Sequence, residues 1–365
     1  MALRTLIVDD TITYRKILSD MLKDIGEIEV VATAPSGVIA LKKLAQEHID
    51  VVFLDVHMPD MDGVETLKRI KIEFPGVSVV MVSGVTTRGA DTTIQALQLG
   101  AVDFIRKPDS PDAAANAVQL KSDLASVLRL ITLKSLTSVK SIGKGTSTQS
   151  VAVTKPLLRE PARSMAALPR SFGVCVIGVS TGGPEALSKL VPGLTGPFSV
   201  PILCVQHMPP MFTKSLADSL TKKSRIQVVE GAENEPVRPG VMYLAPGGRH
   251  MVVRKTEGRV VIGINDGPPE NSCRPSVDVL FRSVASVYGD HGVLAAVLTG
   301  MGNDGCNGVR ALKRQGCYCI TQSEQSCVVY GMPRAVDEAG LSDKSMPLEE
   351  ISREIEMLLT KGRMG

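Results

Sequence analysis

Two sets of polar residues fall where apolar runs end. The first is Asp9, Asp10, Asp55, Ser83 and Lys107, in IVDD, FLDVH, MVSG and FIRKP. Three crowded carboxylates repel, so the group needs a proton or a cation. An all-oxygen site with open positions suits Mg²⁺, which keeps several waters. With its charge balanced, Asp55 can stay ionised and attack a phosphoryl group. Lys107 and Ser83 would hold the phosphoryl oxygens. The Lys107-Pro108 bond is a candidate for the cis form, from the behaviour of X-Pro bonds alone.

The second set is Ser180, His207 and Asp304. GVSTG fits G-x-S-x-G at residues 178–182, between a strand pattern and a helix pattern. That is the context of a nucleophile elbow. His207, in VQHMPP, could take the serine proton. Asp304, in TGMGNDG, could orient the imidazole and stabilise imidazolium. Backbone N–H groups at the glycine-rich helix starts could bind an oxyanion, with Gly300-Met301-Gly302 the first place to look. The chain order Ser, His, acid departs from the Ser, acid, His of ordinary α/β-hydrolases. Restoring that order would need His291 with Asp266, but His291 sits in a turn before a strand. His250 precedes a hairpin strand, and Cys306 is a rival nucleophile beside the glycine cluster.

Regular elements must carry these residues. Up to residue 125, apolar runs at Leu3–Val8, Glu29–Thr33, Val51–Leu54, Val77–Val82 and Val102–Ile105 read as strands. Helix-period stretches at Ile12–Ile25, Val38–Glu47 and Val64–Glu73 separate them. Five parallel strands fit a doubly wound α/β domain of order 2-1-3-4-5, with ligands outside the strands' carboxyl ends. Residues 126–171 are rich in Ser, Thr, Lys and Gly and read as a linker. A second α/β domain is expected over 172–360. Its sheet is mostly parallel, with buried strands at Gly173–Gly178, Val200–Val205, Gly292–Leu298 and Cys317–Thr321. Val241–Leu244, Met251–Arg254 and Arg259–Ile264 read as antiparallel strands, and Leu348–Gly365 as a closing helix with a frayed end.

Composition narrows the function classes. The 365 residues are 44% hydrophobic and 22% charged, which excludes a mostly disordered chain. No apolar run approaches ~18 residues, so membrane insertion is not expected. The start lacks the layout of a signal peptide, and the seven cysteines form no CxxC pair, so a cytoplasmic protein without a disulfide framework is expected. Residues 1–125 hold 13 Lys/Arg against 18 Asp/Glu, and residues 126–172 hold 8 against 1. An acidic front domain therefore precedes a basic connector. The near-neutral remainder and 3% aromatic content argue against a nucleic-acid partner.

IVDD, FLDVHMPDMDG, MVSG and FIRKP together resemble the receiver domain of bacterial two-component response regulators, over about residues 1–125. The resemblance implies Asp55 as phosphoacceptor, fed by a chemotaxis histidine kinase. It implies Mg²⁺ on Asp9, Asp10 and Asp55, with the His57 carbonyl completing the site. It places Phe104 at an aromatic switch position coupled to Ser83. GVSTGGPEAL, VQHMPPMFTKSLA, YLAPGGRHM, RPSVDVLFRSVA, VLTGMGNDG and YGMPRAV resemble the catalytic domain of chemotaxis protein-glutamate methylesterases. That likeness implies hydrolysis of glutamate methyl esters on methyl-accepting chemotaxis receptors, releasing methanol, with glutamine deamidation beside it. It implies Ser180, His207 and Asp304 as the triad, Met301 as an oxyanion donor, and no cofactor for the esterase. Cys273 and Cys306 adjoin the matched segments without replacing a catalytic residue. Arg274-Pro275-Ser276 has either a pocket-shaping or a purely structural role.

Overall fold

A computed structural model describes residues 2–25, 28–84, 87–107, 112–140, 169, 171–196 and 198–360. The front domain runs β1 (Leu3–Val8), α1 (Ile12–Lys23), β2 (Ile28–Ala34), α2 (Gly37–Gln46), β3 (Val51–Asp55), α3 (Gly63–Glu73), β4 (Ser78–Ser83), α4 (Thr87–Gln98), β5 (Asp103–Arg106) and α5 (Ala113–Lys140). Its sheet has the order β2-β1-β3-β4-β5, with every pair parallel. Alternate strand residues feed opposite faces. Ile7, Phe53 and Val80 meet Leu18 and Leu22 of α1 and Leu124, Val127 and Leu128 of α5. Leu6, Val52 and Leu54 face α2, α3 and α4.

α5 runs through residue 125 to Lys140, into the stretch whose composition reads as linker. Its apolar residues Leu120, Leu124, Val127, Leu128 and Ile131 recur every three or four positions and are buried. That period holds the helix to the sheet despite the polar residues around it. The rest of the linker, 141–168, and the Lys107-Pro108 bond, which involves residue 108, lie outside the described residues.

The back domain contains β6 (Val174–Val179), α6 (Gly183–Leu190), β7 (Ile202–Gln206), α7 (Phe212–Lys223), β8 (Gln227–Glu230), β9 (Val241–Leu244), β10 (His250–Thr256), β11 (Arg259–Asn265), α8 (Val277–Tyr288), β12 (Val293–Val297), α9 (Cys306–Lys313), β13 (Tyr318–Gln322), α10 (Met332–Glu338), β14 (Lys344–Met346) and α11 (Leu348–Thr360). Seven strands form one sheet of order β14-β13-β12-β6-β7-β9-β8, and all its pairs are parallel. Among the described strands only β10 and β11 pair antiparallel, as a separate hairpin. Val241–Leu244, expected to be antiparallel, lies parallel between β7 and β8. All four of its residues are buried, as an interior parallel strand requires. The short strands β8 and β14 had no clear apolar run to announce them.

One of the hydrophobic clusters spans both domains. Ala90, Ile94 and Leu97 of α4 join the cluster that holds Leu187 and Leu190 of α6 and Phe212 and Leu216 of α7. At the rim, Gln98 Oε1 accepts from Ser219 Oγ at 3.0 Å and from Lys223 Nζ. No described helix is long and apolar enough to cross a membrane.

Candidate active site and phosphoacceptor site

In the back sheet, the order in which successive strands are added reverses beside β6: β7 lies on one side and β12 on the other. Such a switch point opens a crevice at the strands' carboxyl ends. Ser180 follows β6, His207 follows β7, and Asp304 lies between β12 and α9. His291 is at the opposite end. A Cβ on Gly173, just before β6, would lie 2.7 Å from the His291 Cβ. His250 is committed elsewhere: its Nδ1 accepts from the Ser276 N–H at 3.2 Å, and its Nε2 meets the Pro268 carbonyl at 3.0 Å. Asp266 is paired with Arg249 at the surface. Cys306 is buried against the Ala335 carbonyl, and burial raises its thiol pKa.

Ser180 is held by its backbone. Its N–H donates to the Thr299 carbonyl at 3.0 Å, and its carbonyl accepts from Gly183 N–H at 2.8 Å and Gln206 Nε2 at 2.9 Å. The next turn needs Gly182, whose φ of 75° is in the left-handed region. Gly300 permits a close approach: a Cβ there would lie 2.7 Å from the Ser180 Cβ. The backbone running into Met301 therefore passes directly against the serine, while the Met301 side chain is 38% exposed.

His207 Nε2 lies 2.8 Å from Asp304 Oδ2, and its Nδ1 lies 3.5 Å from Cys273 Sγ. Burial opposes a charged imidazole, but bonds to Asp304 and Cys273 outweigh it and raise His207 to about 9. Burial likewise opposes the Asp304 carboxylate, but His207 and the backbone donors of Asp278 and Val277 outweigh it and lower Asp304 to about 2. Asp304 therefore stays a carboxylate and stabilises the charge that the imidazole carries once it takes a proton. Asn271 Nδ2 and Ser276 Oγ also donate to Asp304, at 2.9 Å each. Gln206 and Asn271 are not legible as site residues from the sequence, whereas Ser276 belongs to the Arg274-Pro275-Ser276 segment noted there. The usable signal for Gln206 is its adjacency to His207.

The front-domain site also sits at strand ends. Asp9 follows β1, Asp55 ends β3, Ser83 ends β4 and Lys107 follows β5. Lys107 Nζ lies 2.7 Å from Asp9 Oδ2 and 2.8 Å from Asp55 Oδ2. Burial raises the Asp55 pKa against the pull of Lys107, and the His57 backbone N–H also donates to its carboxylate. One oxygen from each of Asp9, Asp10 and Asp55 lies within 4.8 Å of the others. This all-carboxylate donor set fits Mg²⁺. Ser83 Oγ accepts from Thr93 Oγ1 at 2.8 Å and donates to the Gly84 carbonyl at 3.2 Å. Phe104 packs on the back domain, its ring centroid 4.4 Å from that of Phe212.

Ser180 and His207 open into a cleft between the two domains, which the carboxylates of the front-domain site do not line. Ser180, Thr181, Gly182, Gln206, His207 and Met208 line it from the back domain, and Leu97, Val102, Asp103 and Phe104 line it from the front. A doubly wound domain with carboxylates and a lysine at its strand ends is thus packed on a second α/β domain whose strand ends carry Ser180, His207 and Asp304, the architecture of a receiver joined to a hydrolase domain. Residues 5–119 match the response regulator receiver domain family, and residues 175–355 match the CheB methylesterase family. A protein-glutamate methylesterase/protein-glutamine glutaminase of Desulfotalea psychrophila is 43% identical over 97% of both chains. One of Archaeoglobus fulgidus is 41% identical, again over 97% of each. The crystal structure of the Thermotoga maritima CheB methylesterase catalytic domain is 39% identical with a TM-score of 0.50, covering 52% of this chain and 99% of that one. The chain belongs to the protein-glutamate methylesterase/protein-glutamine glutaminase family of chemotaxis response regulators, and is an enzyme of that class.

Proposed function

We propose that this protein is a phosphorylation-controlled serine hydrolase. It removes methyl esters from glutamates of methyl-accepting chemotaxis receptors and deamidates receptor glutamines. The observation that carries the reading is the His207–Asp304 pair ending beside Ser180 at the switch point of a parallel sheet. Ser180 Oγ attacks the side-chain carbonyl, and His207 Nδ1 takes its proton. Nε2–H stays on Asp304, which holds the ring and stabilises its charge. The Met301 N–H, brought close by Gly300, receives the developing oxyanion. His207 then returns the proton to the leaving methoxide, or to the leaving amine of a glutamine. Water, activated by the same ring, releases the acyl group.

Control comes from the receiver. Asp55 accepts a phosphoryl group from a chemotaxis histidine kinase. Asp9, Asp10, Asp55 and the His57 carbonyl would hold Mg²⁺, which when bound neutralises charge on the transferred phosphoryl group. Lys107 and Ser83 take phosphoryl oxygens, which draws Ser83 away from Thr93. Phe104 follows, and its contact with Phe212 weakens. The front domain then uncovers the cleft. The gain is a population shift, sized by the difference in contact energy between packed and open states. On this reading the protein works in the cytoplasm.

The test is methanol release from a methylated receptor, with and without a small phosphodonor and Mg²⁺. Release is expected to rise with the phosphodonor and to fall to background in Ser180→Ala. Release that persists in Ser180→Ala would remove the triad. Serine-dependent release that ignores the phosphodonor would remove the control by Asp55.

A further inference from the structure

One side chain outside the triad touches its base. Cys273 Sγ lies 3.5 Å from His207 Nδ1, on the ring nitrogen that Asp304 leaves free. One donor atom from each of His207, Cys273 and Asp304 lies within 4.8 Å of the others. Cys273 is half-buried, and His207 lines the cleft.

A thiolate sulfur and an imidazole nitrogen form a borderline-soft donor set, the kind that selects Zn²⁺ over Mg²⁺ or Ca²⁺. A sulfur at about 2.3 Å and a nitrogen at about 2.0–2.1 Å on one tetrahedral zinc stand about 3.5 Å apart. The two atoms already have that separation, so the cation needs little rearrangement. Asp304 has its own place in such a site. Backbone and side-chain donors occupy its oxygens, so it acts on Nε2 and leaves Nδ1 as the donor nitrogen. A carboxylate on the far nitrogen of a histidine ligand is the common support of zinc-bound histidines.

We propose that Cys273 and His207 form a binding site for Zn²⁺ or another thiophilic divalent cation, and that occupancy inhibits the hydrolase. The cation takes the nitrogen that would accept the proton of Ser180. Water and the Ser180 hydroxyl are the remaining ligands. Binding displaces the Cys273 thiol proton, and the Nδ1 proton of a charged His207 ring, to solvent, with no change of oxidation state. The inhibition rests on the triad reading given above, whereas the binding does not. Among the described residues no other thiol is bonded to a histidine. Cys306 meets the Ala335 carbonyl, Cys327 meets the Gln322 carbonyl, and Cys175, Cys204, Cys317 and Cys319 are buried.

Cobalt provides the test, because a thiolate ligand on Co²⁺ gives an intense near-ultraviolet charge-transfer band. The full chain is titrated with Co²⁺ in excess Mg²⁺, which fills the receiver carboxylates. A band is expected that Zn²⁺ abolishes, that Cys273→Ala lacks and that Cys327→Ala retains. In parallel, Zn²⁺ should inhibit methanol release. The half-inhibiting concentration should rise at least ~10-fold in Cys273→Ala, each variant being compared with its own metal-free rate. No band in the native chain, or a band that survives Cys273→Ala, would overturn the site. Inhibition equal in both proteins would overturn its effect on catalysis. A Cys273-dependent band in a chain that never releases methanol supports the site and removes the hydrolase reading instead.

Discussion

Asp304 accepts hydrogen bonds from six donors, and only one is the His207 ring. The others are the N–H groups of Val277, Asp278 and Gly305 and the side chains of Asn271 and Ser276. The residue therefore has a structural task, anchoring the start of α8, as well as its task toward the imidazole. Asp304→Asn places an NH₂ among these donors and leaves at least one unpaired. It should lower kcat by ~10³–10⁴ and cost about 1–3 kcal/mol of stability. Methanol release and a thermal melt of the same preparation check the two parts. A fall in rate with an unchanged melt would show that the extra donors relax freely. The sequence read Asp304 as an acid beside a glycine cluster. Its other five donors come from segments far apart in the chain or from the neighbouring turn, and no local pattern predicts their meeting.

In the proposed control, the α4–β5 face carries the link between the two sites. Ser83 ends β4, Phe104 lies in β5, and Leu97 belongs to α4. All three lie on elements that pack on the back domain or border that packing. The Phe104–Phe212 ring pair, at 4.4 Å and tilted 37°, is the clearest contact. An aromatic pair contributes about 0.5–1.5 kcal/mol beyond its buried area. Phe212→Ala should therefore shift the packed–open balance by about 2–10-fold and raise basal methanol release by that factor. The relative gain from phosphodonor should shrink correspondingly. Unchanged basal release would mean that the front domain does not limit access. The receiver resemblance singles out Phe104. That Phe212 receives it was not legible in the sequence, because the pairing joins residues from different domains.

At the scale of the whole molecule, the interdomain cleft carries a titrating group. Asp103 lines it beside Ser180 and His207, and burial pushes its carboxyl up to about 6. A carboxyl raised in the packed state binds its proton more tightly there. Packing is thus favoured at low pH, and that contribution is lost as pH rises from the ordinary carboxylate range through about 6. The ratio of basal to phosphodonor-activated release should climb between pH about 5 and about 7. Asp103→Asn, which cannot ionise, should flatten that climb. Using the ratio cancels the titration of His207, which affects both rates. A climb of the same size in Asp103→Asn would place the pH sensor elsewhere.

Much was decided by the order of residues alone. Apolar runs of four to six residues separated by helix-period stretches specify parallel α/β domains, because only that layering buries both faces of each strand. Polar residues at the ends of those runs reach one edge, because all the strands of a parallel sheet point the same way. Asp9, Asp55, Ser83 and Lys107, and likewise Ser180 and His207, could therefore be placed before any coordinates. Tertiary structure decided what depends on contacts across the chain. It set Val241–Leu244 parallel inside the sheet, and it continued α5 to Lys140 through burial of Leu128 and Ile131. It directed Nε2 of His207 to Asp304 and left Nδ1 facing Cys273. It also seated the receiver over the serine. A strand's period is written in its own residues, but a ring's orientation and a domain's resting place depend on surfaces that only folding brings together.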